Sequence, residues 1–326
     1  MLDEAQAGAV LDLPLVRLRL QFARHAGETA PAGYMGSAWR GAMGRLLRRA
    51  ACITRLERCD SCMLRYECPY AYVFETPPPP ESSRMRKYPA APHPFVLEPA
   101  ESFRPEDAAR PVRPEGETYG LGLVLIGRAV RYAPYLVWAL SEAARDGIGE
   151  ARVRLTLQAV HLLEEGRWRT LEPGPMPPLP ASGVPPSAPP RRVRLRFLTP
   201  LRIVRDGRVL RERELTFSAF LRSMLRRASL VHYFHGAREL DLDFRALAEA
   251  SEGVSWEPER LAWVELWRHS SRQRRRVPLH GIVGSVCVDG PAVAPFWPFV
   301  VLGSVIHAGR AATMGLGRYV LEEVEP

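Results

Sequence analysis

The chain reads as an α+β protein built from two tandem ferredoxin-like (RRM-like) domains, the first carrying a Cys-rich metal-binding insertion. Three observations predict this. Each half opens on a strand that alternates apolar and basic residues. Each strand is followed by an arginine-studded helix. A proline-crowded stretch separates the halves.

In the first half, LPLVRLRLQF (13–22) alternates as a strand with one wet face. YMGSAWRGAMGRLLRRA (34–50) has helical spacing, with Trp39, Met43, Leu46 and Leu47 on one side and Arg40, Arg45, Arg48 and Arg49 around the rest. A cysteine segment and the run ETPPPPESS follow; four successive prolines cannot join a regular element. FVLEPAESF and YGLGLVLIG (119–127) read as strands. Residues 129–147 read as a helix, with Pro134 near its start and Gly147 at its end. Residues 151–168 read as one strand or a pair. The order strand, helix, strand, strand, helix, strand is the ferredoxin-like one.

The second half repeats the plan. RVRLRFLTPLRIVRDGRVL (192–210) is a basic strand followed by a DG turn. Residues 216–236 form a helix between a Thr cap and Gly236. A short helix (FRALAEASEG), two strands (LAWVELWRHSS and HGIVGSVCVDG), an apolar helix and a last strand complete it. The expected domains are 1–172, with an insertion at 51–92, and 191–326, joined by a Pro-rich linker at 173–190.

With 326 residues, 46% of them hydrophobic, the chain has material for two cores. No apolar run is long enough to span a membrane. The first residues are acidic, without the basic start of a signal peptide, so a cytoplasmic location is expected. Net charge is +9, and of the 45 basic residues only Lys87 is a lysine. Guanidinium groups fit phosphate and stack on bases, so this surplus favours a nucleic-acid partner over a small neutral substrate.

Four of the five cysteines, Cys52, Cys59, Cys62 and Cys68, fall within seventeen residues in the spacing C-x6-C-x2-C-x5-C. In a cytoplasmic chain such a cluster suits a metal better than disulfides. Four thiolates suit structural zinc; an iron–sulfur cluster takes the same ligands, and the Cys-Pro ending at Pro69 also occurs near such clusters. Four protein ligands leave no open position for a substrate. Cys287 sits in an alternating strand pattern and reads as a core thiol. A metal- or redox-sensing DNA regulator built on the cluster would need a helix-turn-helix, and no such pattern occurs.

The combination of GSAWRGAMGRLL, CPYAYVFETPPPP, SSRQRRRVPLHGIVGSV and the terminal HAGRAATMGLGRYVLE resembles the CRISPR-associated precursor-crRNA-processing endoribonucleases of the RAMP superfamily. The similarity touches both halves and is densest at 33–77 and 266–321. The four-cysteine insertion marks this chain as a variant. The resemblance implies binding of the repeat element of a CRISPR transcript, the precursor of crRNA. It also implies cleavage without a metal, by attack of a ribose 2′-hydroxyl that leaves a 2′,3′-cyclic phosphate. The alternative it leaves open is a non-catalytic RAMP subunit that holds crRNA among the other subunits of a CRISPR effector complex.

Site residues follow from the matched motifs. Gly309, Gly315 and Gly317 would let backbone amides approach RNA phosphates, with Arg310 and Arg318 adding charge-assisted bonds. Arg272, Gln273, Arg274, Arg275 and Arg276 would form a strip that tracks the backbone, and Arg40 and Arg45 a further basic surface. Cleavage needs a proton acceptor, a proton donor and cations for the phosphorane charge. Many relatives place a histidine near the first helix; residues 26–92 here contain none. The candidates are therefore His307 beside the glycine loop, His232 at the end of the second domain's helix, and His25 at the end of the first strand. Tyr34 would position the 2′-hydroxyl or a base.

Overall fold

A computed structural model describes residues 2–25, 33–85, 88, 90–113, 116, 118–270 and 275–324. The first half holds α1 (Glu4–Leu11), β1 (Leu15–Arg24), α2 (Gly36–Ala51), β2 (Phe95–Pro99), β3 (Ser102–Arg104), β4 (Asp107–Val112), β5 (Thr118–Ile126), α3 (Ala133–Asp146), β6 (Leu155–Glu164) and β7 (Arg167–Thr170). The second holds β8 (Arg192–Leu201), β9 (Val204–Arg205), β10 (Arg208–Val209), α4 (Phe217–His235), α5 (Phe244–Ala250) and β11 (Glu257–Val264). It continues with β12 (Trp267–Ser270), β13 (Arg275–Pro278), β14 (Gly281–Asp289), α6 (Gly290–Val293), α7 (Trp297–Ile306) and β15 (Tyr319–Glu323).

The two main sheets share one topology. The first runs β2-β5-β1-β6-β7 and the second β11-β14-β8-β15. With β7 set aside as an added edge, each places its four strands in the order second, third, first, fourth, the double ferredoxin-like fold. Every pairing is antiparallel. Alternation on β1 sets the register: Leu18 pairs with Leu123 and Leu20 with Leu121. Val16, Leu18, Leu20 and Phe22 are buried in one core with Trp39, Met43, Leu46 and Leu47 of α2. A one-residue slip would put arginines into that core.

The second core is aromatic. Phe197, Phe217, Phe220, Trp256 and Tyr319 pack with neighbouring ring centroids 5.5–6.5 Å apart. Above them α4 starts where the Thr216 hydroxyl accepts from the Ala219 N–H at 3.2 Å, and it stops at Gly236. The Asp206-Gly207 turn joins β9 to β10 as the DG signal predicts.

Among the elements with no counterpart in the sequence, two shape the fold most. One is α1, which Asp3 and Gln6 close with a capping box. It sends Val10 and Leu11 into the second core. The other is the β3–β4 hairpin, whose arginine- and proline-bearing strands carry no clean alternation. Residues 172–191 form no helix or extended strand. They are nonetheless laid onto the body, since Ser182 pairs with Leu15 and the Val184 N–H donates to the Leu11 carbonyl. Among the described residues no helix is long and apolar enough to cross a membrane.

Phe220 is fully buried at the centre of the aromatic cluster. Phe220→Ala should cost about 3–5 kcal/mol, whereas Thr216→Ala, which removes only the cap, should cost about 1 kcal/mol. Urea unfolding midpoints measure both.

Candidate nucleic-acid interface

The glycine-rich stretch after α7 is a tight loop folded on itself. His307 leaves the helix at φ 63°, and Gly309, Gly315 and Gly317 take φ of 75°, 83° and 70°. The Arg310 N–H donates to Arg202 O, Gly315 to Ala312 O, and Gly317 to Pro200 O. The Arg318 N–H donates to the Thr199 hydroxyl at 2.9 Å. These amides are therefore engaged within the protein, and the phosphate cradle expected at Gly315 and Gly317 is closed. The physical reason is packing. A Cβ on Gly317 would lie 1.8 Å from Ala308 O, and one on Gly309 2.6 Å from Arg202 O.

The loop is also the seam between the domains. A Cβ on Gly315 would meet Pro99 Cδ at 2.4 Å and Tyr34 Oη at 2.5 Å, and one on Gly36 would meet Met314 O at 1.9 Å. Tyr34 Oη donates to Met314 O at 2.8 Å, so this phenol pins the loop. Arg40 Nε donates to Thr313 Oγ1 at 3.1 Å, and its Nη2 donates to His93 Nε2 at 3.3 Å. Burial, then the nearby Arg268 guanidinium, lower the Arg40 pKa. Burial, then Arg310, lower that of Arg202. Two like-charged guanidinium pairs thus flank the loop, an arrangement that an anion would relieve.

Beneath the loop lies a buried ionic cluster. His307 Nδ1 faces Leu316 O at 3.1 Å, and Nε2 faces Glu98 Oε1 at 3.3 Å. Both ring nitrogens meet acceptors, which favours a proton on each; burial opposes this and pulls the His307 pKa down. Burial pushes Glu98 up, but the bond from His307 and the charges of Arg318 and Arg17 prevail and hold its carboxyl at about 2. Close by, Glu101 accepts from Tyr119 Oη at 3.1 Å and from the Met35 N–H at 3.4 Å. Burial raises it to about 7.

Glu98 and Arg318 of this cluster reach the wall of an open groove of about 460 Å³ on the wet face of the first sheet. Arg19, Arg24, Arg113 and Arg318 line it with Gln21. Gly120 floors it, and a Cβ there would touch nothing within 4 Å. The Arg19 guanidinium stacks 4.4 Å from the ring of Trp168, a half-exposed tryptophan on β7. His25 is exposed just beyond Arg24, with Nε2 2.7 Å from Thr156 Oγ1. A groove with a glycine floor, guanidinium walls and an aromatic at its rim can hold phosphates and stack a base.

Of the three candidate histidines, only His25 reaches solvent. His307 is 0% exposed and His232 1% exposed. His232 Nε2 donates to Val10 O at 3.0 Å and so caps the end of α1. Arg45 is exposed on α2, Arg275 and Arg276 are exposed on β13, and Arg310 is exposed at the loop. Arg272, Gln273 and Arg274 lie outside the described residues. Cys52, Cys59, Cys62 and Cys68 are free thiols lining one cavity. Among the described residues, no three His, Cys, Asp or Glu side chains converge tightly enough to share an ion. The sequence reading missed Arg19, Arg24, Arg113 and Trp168. The signal for Arg19 lay in the arginine alternation of β1, whose wet face is the groove wall; Arg24, at the strand end, falls out of that alternation.

Two ferredoxin-like units joined by a cationic seam, with an open guanidinium-lined sheet face, define a nucleic-acid-binding protein of the double ferredoxin-like class. Residues 195–319 match the family model of the CRISPR-associated endoribonuclease Cas6, and residues 13–174 match the AF_1859 N-terminal domain. A Cas6 product complex shares the fold at 19% identity and a TM-score of 0.55, over 94% of this chain and all of that one. A second Cas6 product complex gives 18% and 0.52, over 95% and 99%. Thermus thermophilus Cas6 gives 17% and 0.51, also over 95% and 99%. No curated protein matches the chain in sequence. The likeness to the CRISPR-associated endoribonuclease Cas6 is thus carried in sequence by residues 195–319, and the double ferredoxin-like fold by the whole chain.

The Glu101 carboxyl sits above its ordinary 4.5, so the folded state favours its protonated form. Its contribution to stability is complete below that ordinary value and is lost as pH rises through about 7. Stability of the parent should therefore fall between about pH 5 and 8 by an amount on the order of 3 kcal/mol from this group. Glu101→Gln should flatten that slope, as read from urea midpoints across the range.

Proposed function

We propose that this chain cuts CRISPR repeat RNA into crRNA, with the RNA lying along the groove on the first sheet. The observation that carries the reading is the wet face of β1, where Arg19 and Gln21 line the groove with Arg24 at the strand end and an exposed His25 follows. In this reading phosphates sit against Arg19, Arg24, Arg113 and Arg318, and a base stacks on Trp168. A ribose 2′-oxygen attacks the adjacent phosphorus as the P–O5′ bond breaks. The products are a 2′,3′-cyclic phosphate and a 5′-hydroxyl. The His25 imidazole takes the 2′-proton while water protonates the leaving 5′-oxygen, and the guanidiniums offset the charge of the phosphorane. Tyr34 acts by holding the 311–318 loop. Glu98 and His307 act by fixing Arg318 at the groove wall.

The burial of His307 and His232 favours a second reading, in which the chain holds crRNA without cutting it. The partners are then other CRISPR proteins; a Cas6-RT-Cas1–Cas2 complex shares this fold at a TM-score of 0.52 and 13% identity, and the chain spans 47% of that larger one. Both readings fit a cytoplasmic protein.

The test uses labelled repeat RNA in excess chelator. The full chain should release a product ending in a cyclic phosphate, and should leave intact an RNA whose scissile 2′-hydroxyl is replaced by hydrogen. His25→Ala should slow cleavage by about 10²–10⁴-fold with little change in Kd. Arg19→Ala and Arg113→Ala should each lower the slope of log K against log salt by about 0.7. Tight binding by the parent with no cutting would establish the second reading.

A further inference from the structure

We propose that Cys52, Cys59, Cys62 and Cys68 bind one structural zinc ion as four thiolates, closing the segment between α2 and residue 71 into a metal knuckle. The argument starts from what holds that segment. Between Ala51 and the short π-helical turn at Ala71–Glu75 no regular element of any length forms. Side chains that would ordinarily build a core face water: Ile53 is 83% exposed and Met63 89%. The backbone is held by single turns, with the Cys62 N–H donating to Cys59 O and the Cys68 N–H to Leu64 O. The Arg48 guanidinium adds bonds to the Leu56 and Glu57 carbonyls. Seventeen residues with this little burial need a cross-link to stay folded.

The thiols are placed to supply it. All four line one cavity of about 220 Å³. The Cys59–Cys62 turn is the Cys-x2-Cys bend that structural zinc sites use. The Thr54 hydroxyl stands 3.5 Å from Cys62 Sγ and 4.0 Å from Cys52 Sγ, positioned to bond a thiolate from outside the ligand shell. Arg58 and Arg65 also line the cavity, which suits the net negative charge of a zinc tetrathiolate. The sulfurs as placed are not at ligation distance, so binding draws them inward. The cysteines form one close pair flanked by single residues. They lack the tight three-cysteine run of the bacterial cluster motif, which favours zinc over iron and sulfide.

The experiment is elemental analysis of the full chain, purified without chelator from cells supplied with zinc and iron. About one zinc per chain is expected, released in step with modification of four thiols. Cobalt substitution should give the sulfur-to-metal charge-transfer and d–d absorption of a tetrahedral tetrathiolate. Cys59→Ser and Cys62→Ser should lose the metal, and Cys287→Ser, remote from the cavity, should keep it. If the serine variants do not fold, the parent's zinc-to-thiol stoichiometry decides alone. Less than a tenth of an ion per chain with all four thiols freely titrating would overturn the proposal, and so would iron with acid-labile sulfide.

Discussion

The two domains meet backbone to backbone, and the geometry of the RNA-facing surface depends on that seam. At Gly36 and Gly315 there is no side chain, so the Met314 carbonyl can approach the first turn of α2 and Pro99 can lie against the loop. Only this approach lets Tyr34 and Arg40 reach across to Met314 and Thr313. A methyl group at either position would separate the sheets by more than a hydrogen bond tolerates. Arg318 would then leave the groove wall that it shares with residues from the first domain.

Charge is organised around the same seam. The interior holds charges that satisfy each other, with Glu98 hydrogen-bonded to His307 and offset by the charges of Arg17 and Arg318. The rim holds guanidiniums that repel, Arg40 with Arg268 and Arg202 with Arg310. Hydrogen bonds within the protein hold two of them in place, Arg40 to Thr313 and His93 and Arg202 to the His280 carbonyl. Part of the arginine excess is thus spent on placed charges at the seam rather than on general basicity.

Strand and helix periodicity made the fold legible. β1, α2 and α4 follow from alternation, from the Trp39-Met43-Leu46 spacing and from the Thr216 cap, because each depends on residues a few positions apart. The glycine loop was legible as special, but not for what. Its positive φ angles were readable; that its amides turn inward depends on Pro200 and Arg202, over a hundred residues away in the chain. The burial of His232 and His307 was hidden for the same reason, since their partners Val10 and Glu98 are 222 and 209 residues distant. The open groove required knowing that Gly120 and Trp168 lie on one sheet face.

The clasp formed by α1 bears on how the chain acquires its structure. This helix precedes every other described element in the chain, yet Val10 and Leu11 belong to the core completed by α7, far downstream. The first sheet can form while α1 has no surface to cover, so the helix must wait through most of translation. Its arrival on α4 and α7, with His232 closing its end, makes the beginning of the chain the final piece of the second domain. Loss of the first dozen residues would therefore weaken the far half of the molecule, and leave the sheet beside it largely intact.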